Sequence, residues 1–199
     1  MYLLVPVMIL FSCRASRIVA DMLSFSRRSE TELVAMRLDL LLDSVVRLAE
    51  NEYDLKKRYD FKQIEIVRDY DNELPACRCD ATEIEQVFLN LIKNAAQAMA
   101  DDGELTHRIT LRTRRDGDYA QIEVEDNGPG MDETTCQRVF EPFFTTKPAG
   151  VGTGLGLSVC YFIVTEQHKG TLSVIATPDK GARFIIRLPL GREQESTLP

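Results

Sequence analysis

The chain has 199 residues, of which 44% are hydrophobic and 28% are charged, a balance that permits a hydrophobic core and argues against gross disorder. Its formal net charge of −7 at pH 7 argues against a nucleic-acid-binding protein, although it leaves room for a local basic pocket that binds a phosphate group. The five cysteines follow no zinc-ligand spacing, so we expect reduced structural thiols and a cytoplasmic location.

Residues 1–34 are predicted to precede the main domain. The apolar run at the start has no Lys or Arg before it and is too short to span a membrane, which suggests the cut edge of a larger protein. Residues 14–34 are predicted to form a helix, since an apolar seam between Ile18 and Phe25 is flanked by charged residues. Such a seam needs a partner, either in the main domain or, as we expect, in a dimerising helical hairpin.

The main domain is predicted over residues 36–192, followed by a polar tail at residues 193–199. Its first half is expected to contain a short strand from Met36, a helix from about Leu40 to Tyr53, a strand within residues 61–70, a loop over residues 72–79 and a helix over residues 84–99. Its second half is expected to contain strands over 108–115 and 119–126 joined by a hairpin at Asp116-Gly117, an irregular stretch over 127–156, a helix from about Leu157 to Gln167 and two strands over 171–177 and 182–190. This order indicates an α+β two-layer sandwich, in which a mixed, mostly antiparallel sheet carries helices on one face.

The helix over residues 84–99 has the clearest pattern. Its apolar residues recur at helical spacing, at Ile84, Val87, Phe88, Leu91, Ile92, Ala95, Ala96 and Met99. Asp80 is expected to cap this helix, with Glu83 completing a capping box. Asn90 and Asn94 share its polar side, although asparagine is a mediocre helix former. A solvent-exposed helix face would explain either asparagine on its own. A Mg²⁺ ion that is bound to phosphates, and whose coordination shell is completed by amide oxygens, would explain why two asparagines share this side.

Asp126 is predicted to lie on the apolar side of its strand, because the apolar residues before it alternate with polar ones. A carboxylate that faces a core needs a hydrogen-bond donor. It is either a turn former before Asn127-Gly128 or an acceptor for the amino group of a flat ligand, which Gly128 and Gly130 would let approach the backbone.

Three glycines lead directly into the next predicted helix, namely Gly152, Gly154 and Gly156. Backbone amides at such a place suit a phosphate group, although glycines at this spacing also serve turns and packing. The Rossmann and P-loop patterns do not fit, since the first needs a preceding βαβ strand and the second a following Gly-Lys-Ser/Thr. Phe140, Phe143 and Phe144 before these glycines are interpreted as anchors or as part of a mobile lid.

Four stretches, taken in this order, resemble the motifs of one family. QVFLNLIKNAAQAM resembles the N box of sensor histidine kinases, DNGPGM the G1 box, FEPFFTTK the F box and GTGLGL the G2 box. The likeness covers about residues 36–190, and the ending GARFIIRLPL resembles the last strand of the family. The ATP-binding domain of these kinases belongs to the Bergerat-fold (GHKL) group, which also contains gyrase-type and MutL-type ATPases.

The resemblance implies a catalytic domain that transfers the γ-phosphoryl group of ATP to a histidine, for onward signalling to an aspartate of a response regulator receiver domain. It implies ATP and Mg²⁺ as cofactors, and a phosphoacceptor helix that belongs to the same or a partner subunit. The intact protein is then expected to be a homodimer without a nucleic-acid partner. The domain itself would be cytoplasmic, whether or not the parent protein carries a membrane anchor.

The resemblance also assigns roles to individual residues. It implies that Asp126 binds the adenine amino group, and that Asn94 ligates Mg²⁺ with Asn90 assisting directly or through water. Lys93, on the polar side of the same helix, joins this catalytic set as a residue that meets a phosphate, and residues 131–152 become the ATP lid. The remaining nucleotide-binding candidates are Gly128, Gly130, Phe140, Thr146, Lys147, Gly152, Thr153, Gly154, Leu155 and Gly156.

The chain departs from the family in its histidines. The family's phosphoacceptor lies in an H box on the first helix of a dimerisation hairpin, whereas residues 14–34 resemble the second helix of that hairpin. His107 and His168 are the two histidines of the chain, and neither has an H-box context; His168 resembles a structural position of the family. We therefore expect the phosphoacceptor histidine to be absent from this chain.

Two alternative functions are an ATP-hydrolysing enzyme and, from another class, a nucleotide-sensing module. In ATP-hydrolysing relatives, a glutamate one turn before the metal-binding asparagine activates water, but the corresponding residue here is Asn90, which cannot act as a base. The other alternative is a nucleotide-sensing dimerisation module without transfer activity. The absence of an H box upstream of Met1 in the parent reading frame would favour that alternative.

Overall fold

The computed structural model of the chain describes residues 33–53, 61–100, 106–147 and 152–191. The predicted N-terminal helix therefore lies outside the described residues except at its last two positions, and the predicted polar tail lies outside them entirely. Within the described ranges, no helix has the length and apolar character needed to cross a membrane.

The described elements are seven strands, four α-helices, a 3₁₀ turn and a π-helical segment. They are β1 (Val34–Met36), α1 (Leu38–Tyr53), a 3₁₀ turn (Phe61–Gln63), β2 (Glu65–Tyr70), β3 (Cys77–Cys79), α2 (Ala81–Met99), β4 (Arg108–Asp116), β5 (Tyr119–Asp126), α3 (Glu133–Arg138), α4 (Gly156–Phe162) with a π-helical continuation (Ile163–Gln167), β6 (Thr171–Ala176) and β7 (Ala182–Pro189). Five strands form one sheet in the order β2-β4-β5-β7-β6, in which only β2 and β4 pair in parallel, and β1 pairs with β3 in a separate antiparallel ribbon. The predicted α+β sandwich with a mixed, mostly antiparallel sheet is confirmed.

The core lies between the helices and one face of the five-stranded sheet. All eight apolar residues predicted for α2 are buried. They meet the inward residues of the central strands, which are also fully buried, including Ile109, Leu111, Ile122 and Ile186. Since both partners offer a largely apolar surface, their packing contributes strongly to the stability of this domain.

The opposite face of the sheet is charged. Nη1 of Arg112 lies 3.4 Å from Glu123 and also contacts Glu125, while Nη1 of Arg183 lies 3.6 Å from Glu123. These side chains come from β4, β5 and β7, so the ion pairs cross the centre of the sheet. A face of this kind cannot bury helices at an acceptable desolvation cost, which explains why the helices occupy one face only.

Two predicted boundaries near the start of the domain were wrong. Helix α1 begins at Leu38 rather than near Leu40, and Val34–Met36 are a strand, so Val34 does not end a helix. The predicted loop over residues 72–79 contains β3, since Cys77 and Cys79 are fully buried while Arg78 between them is exposed. A three-residue alternation is too short to identify a strand from sequence.

Two further corrections concern irregular segments. The predicted strand over residues 61–70 begins with a 3₁₀ turn, so β2 itself starts at Glu65. The predicted irregular stretch over 127–156 contains α3, which is capped by Asp132 through a 2.7 Å hydrogen bond from the Thr135 amide. Helix α3 buries none of its side chains, so it has no apolar periodicity by which the sequence could reveal it.

The predicted cap of α2 is confirmed, but the reciprocal half of the capping box is not. Oδ1 of Asp80 accepts hydrogen bonds from the amides of Thr82 and Glu83, at 2.9 and 3.2 Å. The Glu83 carboxylate does not return to Asp80; it accepts a 2.7 Å hydrogen bond from Nε2 of Gln167. Glu83 therefore joins the start of α2 to the end of the α4 segment.

His168 accepts the hydrogen bond from the Asp80 amide that Glu83 would accept in a capping box. The Asp80 amide donates to Nε2 of His168 at 3.1 Å, and Nδ1 of His168 lies 3.0 Å from the carbonyl oxygen of Ile163. Because Nε2 accepts a hydrogen bond, the assigned tautomer is neutral with its proton on Nδ1. The buried ring thus satisfies two backbone groups that lie on different helices, and its predicted structural role is consistent with these contacts.

Removal of the α2 cap should destabilise the whole domain, whereas removal of the α3 cap should not. We expect Asp80→Ala to lower the free energy of unfolding by about 1–2 kcal/mol, as for other lost caps. The matched variant Asp132→Ala should cost no more than about 0.5 kcal/mol, since α3 buries no side chain. Urea unfolding followed by circular dichroism measures both losses, and equal losses would contradict this assignment.

Candidate functional site

The candidate site is built along the polar side of α2. Asn90, Asn94 and Gln97 lie half-buried on this side, because the apolar face of the helix is turned into the core. At 1.5 Å per residue, the stretch from Asn90 to Ala98 is about 12 Å long. Three segments that are distant in sequence contact this stretch, one at each end and one in the middle.

Asp126 lies at the end of the site near the C-terminus of α2. Its side chain is buried, as predicted from the strand alternation, and Oδ1 accepts hydrogen bonds from the amides of Gly128 (3.0 Å) and Ala182 (3.3 Å). Burial raises the pKa of the Asp126 carboxyl, and the two amide hydrogen bonds act in the opposite direction. Both hydrogen bonds end on Oδ1, so Oδ2 can accept a donor from a ligand.

Glycines bring the Asp126 loop against its neighbours. A Cβ atom on Gly128 would lie 3.0 Å from Cγ of Met99 and 3.1 Å from Oδ1 of Asp126, so this glycine lets the loop approach the end of α2. Gly130 has a φ of +69°, and a Cβ there would lie 2.0 Å from the carbonyl oxygen of Thr177. Close backbone packing therefore requires glycine at position 130 independently of any ligand.

Gly181 and Ala182 belong to the site but were missed in the sequence. A Cβ on Gly181 would lie 1.9 Å from the carbonyl oxygen of Asp126, and the Ala182 amide is the second donor to the Asp126 carboxylate. Gly181 ends the connection between β6 and β7, and Ala182 is the first residue of β7. Both lie in the stretch that resembles the last strand of the family, outside the four motifs to which site roles were assigned. The glycine before the last strand was the one available signal, and it is also explained by an ordinary turn.

The glycine-led start of α4 forms the other end of the site. A Cβ on Gly156 would lie 3.9 Å from Oδ1 of Asn90, so the first turn of α4 faces this asparagine. Burial raises the pKa of the Cys160 thiol to about 12, and a hydrogen bond with the Asn90 side chain partly offsets the effect. Asn90 therefore contacts both the first turn and the middle of α4.

The F-box and G2-box stretches are locked together by their backbones. The Phe143 amide donates a 2.9 Å hydrogen bond to the carbonyl oxygen of Gly154. Gly154 has a φ of +69°, and a Cβ there would lie 2.4 Å from the carbonyl carbon of Phe143. Leu155 is buried in the core, so it can offer a ligand its backbone only. Thr153 accepts a 3.4 Å hydrogen bond from the Leu155 amide.

The phenylalanines divide into anchors and one exposed ring. The Phe140 ring lies 5.4 Å from that of Tyr161 and 6.3 Å from that of Phe184, which fixes the segment to α4 and β7. The Phe144 ring lies 4.5 Å from the guanidinium of Arg138, whereas Phe143 is 59% exposed. Phe140 is therefore an anchor, and a contact between its ring and a nucleotide stays a prediction.

Lys147 reaches the middle of the site. Its Nζ lies 3.2 Å from Oδ1 of Asn94 and also donates a hydrogen bond to Oε1 of Gln97. Burial lowers the pKa of the Lys147 ammonium. Of the other two predicted residues nearby, Lys93 is half-buried on α2, and Thr146 is exposed beside Lys147. The structure thus joins Lys147 to Asn94, which sequence spacing alone did not predict.

The donor set fits a phosphate-bound divalent cation better than a cation held by the protein alone. Asn94 Oδ1 already contacts a cationic group, the Lys147 ammonium, and its neighbours Asn90 and Gln97 are also neutral amides. The described ranges contain no group of three or more His, Cys, Asp or Glu side chains that could hold a metal ion. Since Mg²⁺ binds through few protein oxygens and several waters or phosphate oxygens, one or two amides suffice only when phosphates are present.

Comparison with known proteins identifies the fold and the family. A family model described as histidine kinase-, DNA gyrase B- and HSP90-like ATPase matches residues 79–192. The catalytic domain of the histidine kinase ThkA has a TM-score of 0.67 and 29% identity, with 80% of this chain and 97% of that chain covered. A structure of ThkA in complex with the response regulator protein TrrA has a TM-score of 0.71 and 27% identity, covering 92% of this chain and 49% of that one.

The chain is also similar to curated sensor kinases. It is 37% identical over 192 residues to the sensor kinase CckA of Brucella abortus (strain 2308), covering 88% of this chain and 19% of that protein. It is 32% identical over 184 residues to the signal transduction histidine-protein kinase AtoS of Escherichia coli (strain K12), covering 92% and 28%. The chain thus spans less than a third of the length of these relatives. It belongs to the family of histidine kinase-, DNA gyrase B- and HSP90-like ATPases, and its described part is an ATP-binding catalytic domain of the histidine kinase type.

Proposed function

We propose that this domain binds the Mg²⁺ complex of ATP and transfers the γ-phosphoryl group to a histidine on a separate phosphoacceptor helix. The observation that carries this proposal is the arrangement along about 12 Å of α2. A buried carboxylate lies at one end, amide oxygens with a lysine lie in the middle, and a glycine-led helix start lies at the other end. This order corresponds to the base, the metal-bound phosphates and the terminal phosphate of one extended nucleotide.

Asp126 recognises the base. Its Oδ2 accepts a hydrogen bond from the adenine amino group, while the amides of Gly128 and Ala182 hold Oδ1. A buried carboxylate whose geometry is fixed in advance discriminates strongly against bases that lack this donor, because the carboxylate would then be desolvated without compensation.

Asn94 is the principal protein ligand of Mg²⁺, and Asn90 assists directly or through water. When bound, Mg²⁺ neutralises phosphate charge and orients the terminal phosphoryl group for transfer. Lys93, Thr146 and Lys147 approach the phosphates from the α2 and F-box sides. The other predicted contacts are made by backbone groups and side chains of Gly128, Gly130, Phe140, Gly152, Thr153, Gly154, Leu155 and Gly156. Residues 131–152 are the predicted lid over the nucleotide, and residues 148–151 of this range lie outside the described residues.

Transfer is favoured over hydrolysis. Asn90 occupies the place of the water-activating base of hydrolysing relatives, and an amide cannot take a proton from water. His168 does not serve as the acceptor in this proposal, since both of its ring nitrogens are engaged with backbone groups. His107 has no H-box context, so the acceptor is proposed to lie on another helix, in the same or a partner subunit of a homodimer.

The onward partner is the receiver domain of a response regulator. The solved complex of ThkA with TrrA supports this partner, and the named relatives are sensor kinases. A cytoplasmic location agrees with the supply of ATP and with the four described cysteines, which are all free thiols. Mg²⁺ and ATP are the cofactors of the domain.

Incubation of the chain with Mg²⁺ and γ-labelled ATP tests the reaction. We expect bound nucleotide, no acid-labile phosphate on the protein and little release of inorganic phosphate, because the acceptor histidine is proposed to lie on a separate helix and Asn90 stands where hydrolysing relatives have a water-activating base. Acid-labile label on the chain would show that it contains an acceptor. Steady release of inorganic phosphate would instead favour an ATPase. The sensing module would be favoured if the chain binds nucleotide but transfers no phosphate to an H-box hairpin added as a separate protein.

Replacement of the buried carboxylate tests base recognition. We expect Asp126→Asn to weaken ATP binding by about 10- to 100-fold, the range expected for loss of a hydrogen bond to a charged group. The matched variant Glu125→Gln makes the same chemical change on the neighbouring residue, which faces the opposite side of the sheet, and should bind ATP normally. Calorimetric titration measures both affinities, and unchanged binding by Asp126→Asn would contradict this role.

The same variant should change the dependence of stability on pH. Because burial raises the pKa of the Asp126 carboxyl in the folded protein, the folded state binds this proton more tightly than the unfolded state, so stability falls as pH rises from about 4 through the raised pKa. Asp126→Asn removes this loss, and its amide oxygen can still accept the two backbone hydrogen bonds. Urea unfolding at pH 4 and pH 7.5 should show a smaller decline for the variant, and a larger decline would exclude this explanation.

A further inference from the structure

Lys147 is a cationic side chain held by neutral groups. Its ammonium contacts the amide oxygens of Asn94 and Gln97, and its side chain is half-buried. A partly buried ammonium ordinarily pairs with a carboxylate. Among the residues that the structure describes, no carboxylate forms an ion pair with Lys147. The positive charge is therefore not neutralised within the described part of the site.

Lys147 is also held in place by its own segment. Its amide donates a 3.1 Å hydrogen bond to Oγ1 of Thr145. A Cβ on Gly152 would lie 3.5 Å from Cδ of Lys147 and 3.1 Å from Oγ1 of Thr145, so the G2-box stretch packs against the lysine stem. Two backbone segments thus hold the lysine stem where its ammonium reaches Asn94.

The position of this ammonium conflicts with a divalent cation on the same oxygen. A Mg²⁺ ion bound to Oδ1 of Asn94 would lie about 2.1 Å from that oxygen, whereas the Lys147 ammonium lies 3.2 Å from it. Two cations this close repel each other strongly. The amides of Asn94 and Gln97 contribute no negative charge to offset this repulsion.

We propose that Lys147 makes metal binding at Asn94 conditional on a phosphate chain. The ammonium donates hydrogen bonds to the amide oxygens of Asn94 and Gln97 and thereby excludes a free divalent cation from Asn94. When a metal–nucleotide complex binds, the phosphates supply the missing negative charge, the ammonium moves onto them, and Asn94 is released to the metal.

This inference rests on the proposed function and goes beyond it. Lys147 and Gln97 become residues that determine selectivity for the metal complex of a nucleotide over the metal alone. A site that rejects the free ion remains open to the complex. Gln97 gains a role as the alternative partner that keeps the ammonium in place.

The uptake of Mn²⁺ without nucleotide, followed by electron paramagnetic resonance, tests the proposal. Mn²⁺ replaces Mg²⁺ as the probe because its free form is directly visible. We expect Lys147→Gln to bind Mn²⁺ at least about 10-fold more tightly than the wild-type chain, within the range of ordinary coupling energies. The double variant Lys147→Gln/Asn94→Ala should lose this gain, which would locate the metal at Asn94.

Two further variants separate charge from structure. Lys147→Arg keeps the positive charge and should exclude Mn²⁺ as the wild-type chain does, whereas a structural defect would not be rescued in this way. Lys180→Gln removes the charge of an exposed lysine outside the site and should leave Mn²⁺ uptake unchanged. Circular dichroism confirms that each variant is folded.

The outcomes distinguish this inference from the proposed function. Failure of the wild-type chain to bind ATP in the presence of Mn²⁺ would contradict the proposed function itself. The inference alone would be overturned if ATP binds normally but Lys147→Gln shows no gain in Mn²⁺ affinity. This includes the case in which neither the wild-type chain nor the variant takes up Mn²⁺ in the millimolar range. A gain that persists in the Asn94→Ala double variant would also overturn it, because the metal would then lie elsewhere.

Discussion

The packing of α2 on the five-stranded sheet determines the geometry of the site. Six large apolar side chains of this helix are fully buried, and their burial is worth about 10 kcal/mol or more. The hydrogen bonds that Asn94 and Gln97 make to Lys147 are worth about 1–3 kcal/mol each. The apolar face therefore sets the rotation of the helix about its axis, and the asparagine stripe must face the segments that pack beside it.

The buried carboxylate of Asp126 lowers the stability of this domain. Asp126 leaves its strand on the core side, where burial disfavours its charged form. Gly128 and Gly181 bring backbone against it, and the two amide donors act on one carboxylate oxygen only. Burial also disfavours the charged form of Lys147, so the cost falls on groups of the site, as expected where a site must be desolvated and fixed before its ligand arrives.

Polar contacts between distant segments complete the frame. His168 and Gln167 join the end of the α4 segment to Asp80 and Glu83 at the start of α2, and Asn90 contacts α4 near its first turn. Because α4 begins at the glycines that are proposed to meet phosphates, these contacts hold that helix start at a fixed place along α2. Stability and site geometry thus depend on the same pair of helices.

The sequence by itself determined the elements whose side chains carry a strong periodic signal. The apolar face of α2, the alternation that turns Asp126 inward and the order of the longer strands and helices follow from local patterns, since each is set by burial of regularly spaced residues. The short β3 and the exposed α3 carry no such pattern and were missed. Only the tertiary structure decided which distant polar groups meet. The capping-box pattern could not show that His168 would take the Asp80 amide, nor could any local spacing show that Lys147 would reach Asn94 or that Gly181 would support Asp126. Partners of this kind are chosen by the relative placement of packed segments, which depends on the whole core and leaves no period in the chain.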